Sequence, residues 1–454
     1  MKASHGLVPV FDDRNLVSHA GLSPVLELAE KAGLAGLIEE CSTLPVANVA
    51  VKSRTVLAGM LAGADSIDDL DLLRAGGTAR VVGAVRAPST IGTFLRSFTH
   101  GHALQFGKVN RVLLRRLIGQ IPALAGAAGG LVMVDMDDTI REVHGSQKQA
   151  AAFGYSGVRG LNALLVTVTG QDAAPLVAEA SLRRGNVRSG DHAAHHLARA
   201  LTTVRESMPG RQVLTRADSA FCTHENVTTA IRQRAWFSFT IPAWPTVARA
   251  IAGISEDAWT RIEYPGAVRD EDTGELVSDA EVAETEFTAF VSRPKGEQIA
   301  CRLVVRRVKR LNENATVGQE TLFDTWRYHA FITNSPLTAV DADRFHRGHA
   351  IVEQVIAELK GGPLAHLPSG VFTANAAWVQ FAALAHNLAR AAATAAGLGR
   401  ARMGTLLRLI IQTPARLANT ARRVVMHLPA HWPWAHAWAR LWETATSPPR
   451  IATT

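Results

Sequence analysis

Cysteine is scarce: Cys41, Cys222 and Cys301 are the only three in 454 residues, and they lie far apart with no C-x-x-C pair. That excludes a disulfide framework and a cysteine-based zinc site, and it fits a reducing cytosol. Long hydrophobic runs are missing too. The longest weakly polar stretch, 121–134, contains Pro122 and several glycines and stops at Asp135, too short to span a bilayer. The opening MKASHGLVPVFDD lacks the apolar centre of a secretory signal, so a cytoplasmic protein without membrane contact is expected. Aromatics make up only 6% of the chain, but hydrophobic residues reach 47%, which excludes wholesale disorder and supplies a sizeable core. The length suggests about three domains.

Acids are nearly absent from one region. Between Phe381 and Thr454 there are nine arginines, no lysine and a single acid, Glu443, while the rest of the chain is close to neutral. The whole net charge of +8 therefore resides in this segment. A concentrated basic tail suits a polyanion such as nucleic acid, and a solvated helical face is the plainer alternative.

Residues 1–126 read as helical, with Leu22, Val25, Leu26, Leu28 and Ala29 at helical spacing, as are Val109, Val112, Leu113 and Leu117. A helix-turn-helix and an ordinary packing module both suit the segment around Arg96. The texture changes near Gly129. Apolar and β-branched runs at 131–134, 161–169, 176–180, 212–214 and 236–241 read as strands, with helices at 193–207 and 226–234 between them. Interleaving of this kind predicts an α/β fold with a mixed sheet. Alternating segments at 261–264, 286–291 and 299–308, with a turn at Asp272-Thr273-Gly274, read as an all-β insertion over 244–325. Residues 326–396 return to a strand and long helices, and 397–454 read as further basic helices.

Three groups of acids stand out. Val134-Asp135-Met136-Asp137-Asp138-Thr139 reads as a strand ending in carboxylates, with Asp135 and Asp137 on one face and Asp138 on the other. Arg216-Ala217-Asp218 closes another strand. Glu353 sits on a helix, seven residues before Lys360, with His346 and His349 seven and four residues ahead of it on the same face. Buried strand-end carboxylates are costly unless they meet a cation or a donor. Acids from two strands and a helix could converge on two hard divalent ions, which activate water and stabilise the leaving oxygen of a phosphodiester.

These blocks resemble the DDE transposases of bacterial insertion sequences, most nearly the insertion-sequence family 1380 type. The matching residues are Asp135 to Thr139, His144-Gly145, Gln149, Gly154-Tyr155, Arg184-Gly185-Asn186, Arg216 to Cys222, Glu353, Glu358-Leu359-Lys360, Leu367-Pro368, Asn375 and Asn387-Leu388. The resemblance implies an RNase H-like core in two parts, 127–243 and 326–396, interrupted by the β-rich insertion and flanked by helical regions, the first of them DNA-binding. It implies cut-and-paste transposition by nucleoid-associated homodimers acting on terminal inverted repeats and target DNA. It also implies two magnesium ions, replaceable by manganese. The family's acids carry over to Asp137, Asp218 and Glu353. Asp137 is preferred to Asp135 because the family's first acid is usually followed by one residue and then Thr, and Asp135 stays as a further metal-ligand candidate. Lys360, Arg216, Arg347 and His349 become candidates for phosphate contact. The family often has Tyr and Arg where His346 and His349 stand. Trp244, Trp259 and Trp326 are candidates for stacking on a displaced base.

Two rivals belong to other classes. A phosphatase of the haloacid dehalogenase type would use Asp135 as nucleophile and Asp137 as general acid/base, but no downstream acid pair of the required kind is evident. A cleavage-inactive relative would bind DNA only. His192, His195 and His196 read as a helix start on the surface rather than a zinc site.

Overall fold

The computed structural model describes residues 7–263, 280–309 and 326–448. The turn expected at Asp272-Thr273-Gly274 lies outside these residues. After the short strand β1 (Leu16–Val17) come six helices: α1 (Leu22–Lys31), α2 (Leu34–Cys41), α3 (Val49–Leu61), α4 (Thr78–Val82), α5 (Pro88–Arg96) and α6 (His100–Gln120). Pro88 opens α5, where its missing N–H costs nothing, and Thr99 and His102 close a reciprocal cap on α6. The α/β region follows as β2 (Val132–Glu142), β3 (Ala152–Phe153), β4 (Arg159–Gly170), β5 (Leu176–Arg183), α7 (Ala193–Ser207), β6 (Val213–Ala217), α8 (His224–Arg232) and β7 (Trp236–Thr240). Next come α9 (Pro245–Ala252), β8 (Thr260–Ile262), β9 (Ala280–Ala289), β10 (Ile299–Lys309) and β11 (Trp326–Thr333). The chain then runs through α10 (Ala339–Arg347), α11 (Ile351–Lys360), α12 (Phe372–Ala395), α13 (Met403–Leu406), β12 (Ala415–Asn419), β13 (Val424–His427) and α14 (Ala435–Thr446).

One mixed sheet organises the molecule, in the order β3-β4-β2-β6-β7-β11-β10-β9-β8, with β5 also paired to β4. The central pairs β2–β6 and β6–β7 are parallel, and the other neighbours are antiparallel. The segment read as an all-β insertion differs from that expectation. Its strands β8 to β10 extend the main sheet through β11, and it carries the helix α9. The C-terminal region is likewise not wholly helical. There β12 pairs with both β13 and β1, joining the two ends of the chain in a small separate sheet.

Helix α12 sits at the centre. Its alanines favour helix and present little bulk, so α3, α6 and β5 pack against it closely, and almost every side chain on it is buried. Polar groups in this core are matched. Asn387 of α12 accepts from the Val177 N–H at 2.8 Å and donates to Asn110 of α6 at 2.9 Å. One side chain thus ties two helices to the edge strand β5, and the N-terminal helices share the apolar core of the α/β region. Among the described residues, no helix is long and apolar enough to cross a membrane.

Candidate active site

Strand β2 runs through its acids rather than ending at them. It continues to Glu142 because β4 pairs with it in register along its whole length. The three aspartates of β2 meet three different fates.

Asp135 is completely buried. Arg216, beside it on β6, donates from Nε and Nη2 to its two oxygens at 2.7 Å each, and His349 Nδ1 lies 2.9 Å from Oδ1. Burial alone would raise the Asp135 carboxyl, but the Arg216 charge and the His349 hydrogen bond outweigh it and hold the group below its usual range. Asp138 faces the other way and pairs with Arg183, which also donates to Asn162 Oδ1 at 2.8 Å. Asp137 lies between them in sequence and shares the face of Asp135. Among the described residues no cation forms an ion pair with it. Its oxygen accepts the Asp138 N–H at 2.7 Å. Burial, reinforced by the charges of Asp218 and Asp138, pushes its carboxyl up to about 7.

Asp218 follows β6, one step beyond the last parallel pair, Met136 with Ala217, and so stands beside Asp137. Its side chain caps a short 3-10 turn by accepting the Ala220 N–H at 2.9 Å, and packing around the carboxyl raises it above its ordinary value. Glu353 occupies the first turn of α11, where a negative charge is favoured by the helix dipole, and its side chain is exposed. Helix α11 packs on β2 through its apolar side.

The stretch read as one helix from 341 to 360 is broken. Helix α10 ends at Arg347, a 3-10 turn spans 348–350, and α11 begins at Ile351. A side chain at Gly348 would bring its Cβ within 2.7 Å of Arg216 Nη1, so glycine permits the close approach. Arg216 in turn donates to the Phe345 carbonyl, and His349 reaches down to Asp135. The buried Asp135–Arg216–His349 cluster therefore anchors the break that sets the start of the Glu353 helix.

Several candidates consequently take other positions. Arg216, 2% exposed, is committed to Asp135 and does not face a phosphate. Asp135, enclosed by the same contacts, is not open to a metal. His346 lies on α10, not on the Glu353 helix. It stacks on Phe331 at 4.0 Å and contacts Ser238 Oγ and Thr240 Oγ1, and burial drives its pKa down to about 3. Arg347 donates to Asp343 at 2.8 Å. Trp259 and Trp326 both stack on the Arg307 guanidinium, at 4.2 and 4.5 Å, so neither presents that face to a base. Trp244 is 38% exposed at the start of α9. Lys360 is exposed at the end of α11. His192 precedes α7 with a positive φ, and His196 contacts Glu179 at 3.3 Å. Arg183 and Asn162, which fix Asp138, were not singled out from sequence, although Arg183 directly precedes the Arg184-Gly185-Asn186 motif.

The donor set suits a hard divalent cation. Asp137 and Asp218 offer oxygen ligands whose charge the protein itself leaves uncompensated, which is why burial raises both. The expectation of three converging acids is met only in part. Among the described residues no three His, Cys, Asp or Glu side chains form a ready cage. The phosphatase alternative fails on geometry, because its nucleophile would be Asp135, held at both oxygens and sealed from solvent.

No curated protein matches the chain. The family model described as transposase DDE domain, group 1, matches residues 3–447, nearly the entire length. The chain with this paired-aspartate centre therefore belongs to the DDE transposase domain family, group 1.

Proposed function

We propose that this protein is a cut-and-paste transposase of the insertion-sequence 1380 type, with Asp137, Asp218 and Glu353 as its catalytic carboxylates. The observation that carries the reading is the side-by-side placement of Asp137 and Asp218 on parallel central strands, with no protein cation to neutralise them, beside the helix that bears Glu353. Two magnesium ions, or manganese in their place, would supply activated water and charge neutralisation at the scissile phosphate. Asp137 and Asp218 would hold them, and Glu353 would complete the set from α11. Because Asp137 keeps a proton up to about pH 7, cation binding must displace it. Lys360, two helical turns beyond Glu353, would neutralise phosphate charge. Asp135, Arg216 and His349 position these groups without touching substrate. Hydrolysis at the element end would free a 3′-hydroxyl, which would then attack target DNA. Two protomers would pair the two inverted repeats, and the basic C-terminal region would add backbone affinity.

The test replaces Asp137, Asp218 and Glu353 singly by alanine and measures magnesium-dependent cutting of DNA carrying the element's own ends. Each variant is expected to lose cutting by at least about a thousandfold, an order typical of lost electrostatic stabilisation at the reacting phosphate, while end binding persists. Retained cutting by any one variant removes that residue from the site.

A further inference from the structure

A groove of about 690 Å³ opens beside the catalytic strand, between the outer end of β2, the 144–158 loop and the Lys360 end of α11. Asp138, His144, Tyr155, Ser189, Lys360 and His366 are among its lining residues. Its size lies in the range of ligand clefts, and one end adjoins the proposed centre through Asp138 and Lys360.

Two aromatic rings stand in water on this loop. Tyr155 is fully exposed, at 110% of its reference area, and Phe153 is 68% exposed. Scattered exposed aromatics are ordinary. These two differ because the backbone that carries them is held in place. A Cβ on Gly154, between them, would meet the Gly185 carbonyl at 2.4 Å, and one on Gly185 would meet the Gly160 and Ala152 carbonyls at 2.0 and 2.5 Å. Arg159 braces the other side by donating to the Gly145 and Ser146 carbonyls. The rings are thus displayed from a fixed platform, at no gain to the core.

The charges around the groove favour a polyanion. Arg183 offsets Asp138, which leaves Glu142 as the acid of the lining against Arg141 and Lys360. Arg184 and Arg188, both exposed, flank the lining residues Gly185, Val187 and Ser189. An aromatic face beside cations is the pairing that holds unstacked nucleotides, with the ring taking the base and the cations the backbone.

We infer that this groove receives an unpaired DNA strand next to the scissile phosphate, with Tyr155 stacking on a base and Lys360 meeting the backbone. The inference rests on the transposase reading above and deepens it. It also transfers base stacking away from Trp259 and Trp326, whose faces Arg307 occupies.

The experiment uses the full chain and a forked duplex with 2-aminopurine in its single-stranded arm, in EDTA so that no cutting occurs. Wild type is expected to quench the 2-aminopurine fluorescence on binding. Tyr155→Ala should lose the quenching and bind the fork about tenfold more weakly, the scale of one base–aromatic stack. Its affinity for a fully paired duplex should be unchanged, and Tyr155→Phe should behave as wild type. With its side chain in solvent, Tyr155→Ala should fold normally, which circular dichroism checks. Wild-type quenching and affinity in Tyr155→Ala would overturn the inference, as would a change only in oligomeric state. Magnesium-dependent cutting by wild type, measured separately, keeps the two ideas apart. Quenching without any cutting sinks the transposase mechanism and leaves the groove. Cutting with an unaffected Tyr155→Ala does the reverse.

Discussion

On the wing of the sheet formed by β9, β10 and β11, arginines find carboxylates. Arg307 faces Glu281 across the β9–β10 ladder, with Nε donating at 2.6 Å, and its other nitrogens reach Glu256. Arg306 reaches Asp343 at 2.8 Å, and Arg302 reaches Glu284. At the centre of the same sheet, β2 carries three aspartates within four positions, and arginines neutralise only the first and last of them. Both regions place charge on strands, yet one balances it and the other leaves Asp137 and Asp218 raised and uncompensated. A folded chain tolerates such an imbalance where a ligand completes it, so the mismatch marks the functional centre more sharply than the number of acids does.

The contrast breaks most severely if the central balance is removed. Arg216→Ala would leave Asp135 charged and sealed from water, a loss of about 3–5 kcal/mol typical of a buried pair that keeps one partner. Urea unfolding at neutral pH should show this as a large fall in midpoint. The double variant Asp135→Leu/Arg216→Met should recover most of the stability, because an apolar pair replaces an ionic one. It should not recover cutting, since His349 and the turn at Gly348 lose their anchor. Full recovery of cutting would show that the cluster does not position Glu353.

A smaller effect should distinguish Asp137 from its paired neighbours. Its folded carboxyl titrates near 7, while in the unfolded chain it would titrate near 3.8. Between these values the folded state holds a proton that the unfolded state has released. Asp137 therefore favours folding fully below about pH 4, and its contribution declines as pH rises through 7. Asp137→Asn should remove that decline, so the variant gains stability over wild type as pH rises from 4 to 7 without metal. Magnesium should restore wild type above pH 7 and leave the variant unmoved. Parallel pH profiles for the two proteins would mean that Asp137 is not strained in the metal-free fold.

Much of this centre was legible in the residues, and the limits have physical causes. The β-branched run at 161–169 fixed β4, and 193–207 matched α7 to the residue, because both carry strong local periodicity. Asp137, Asp218 and Glu353 stood out by residue type and spacing. The extent of β2 did not, since pairing with β4 carries the strand through charges that local propensity would end it on. Arg216 read as a phosphate ligand because exposure is a tertiary property, and its partner lies 81 residues away. The break at Gly348 likewise depends on Arg216 approaching from another strand. The pairing of Leu16–Val17 with Arg416–Ala415 has no local signal at all, and the Trp-rich stretch beside it reads as helix.

The mildest expectation concerns the wing. Arg302 and Glu284 pair at the surface, both partly solvated, so their coupling should be about 0.2–1 kcal/mol and should shrink as salt screens it. Replacing Arg302 alone would mislead, because it also donates to the Ser335 and Leu337 carbonyls at 2.6 and 2.7 Å. A double-mutant cycle with Arg302→Gln and Glu284→Gln isolates the pair, since the carbonyl contacts are lost equally on both arms. The same cycle at Arg216 and Asp135 should give several times the coupling and little salt dependence, because that pair is out of reach of mobile ions. Equal couplings at the two sites would mean that the wing and the centre treat charge alike, and that the imbalance at Asp137 is an ordinary feature of this sheet.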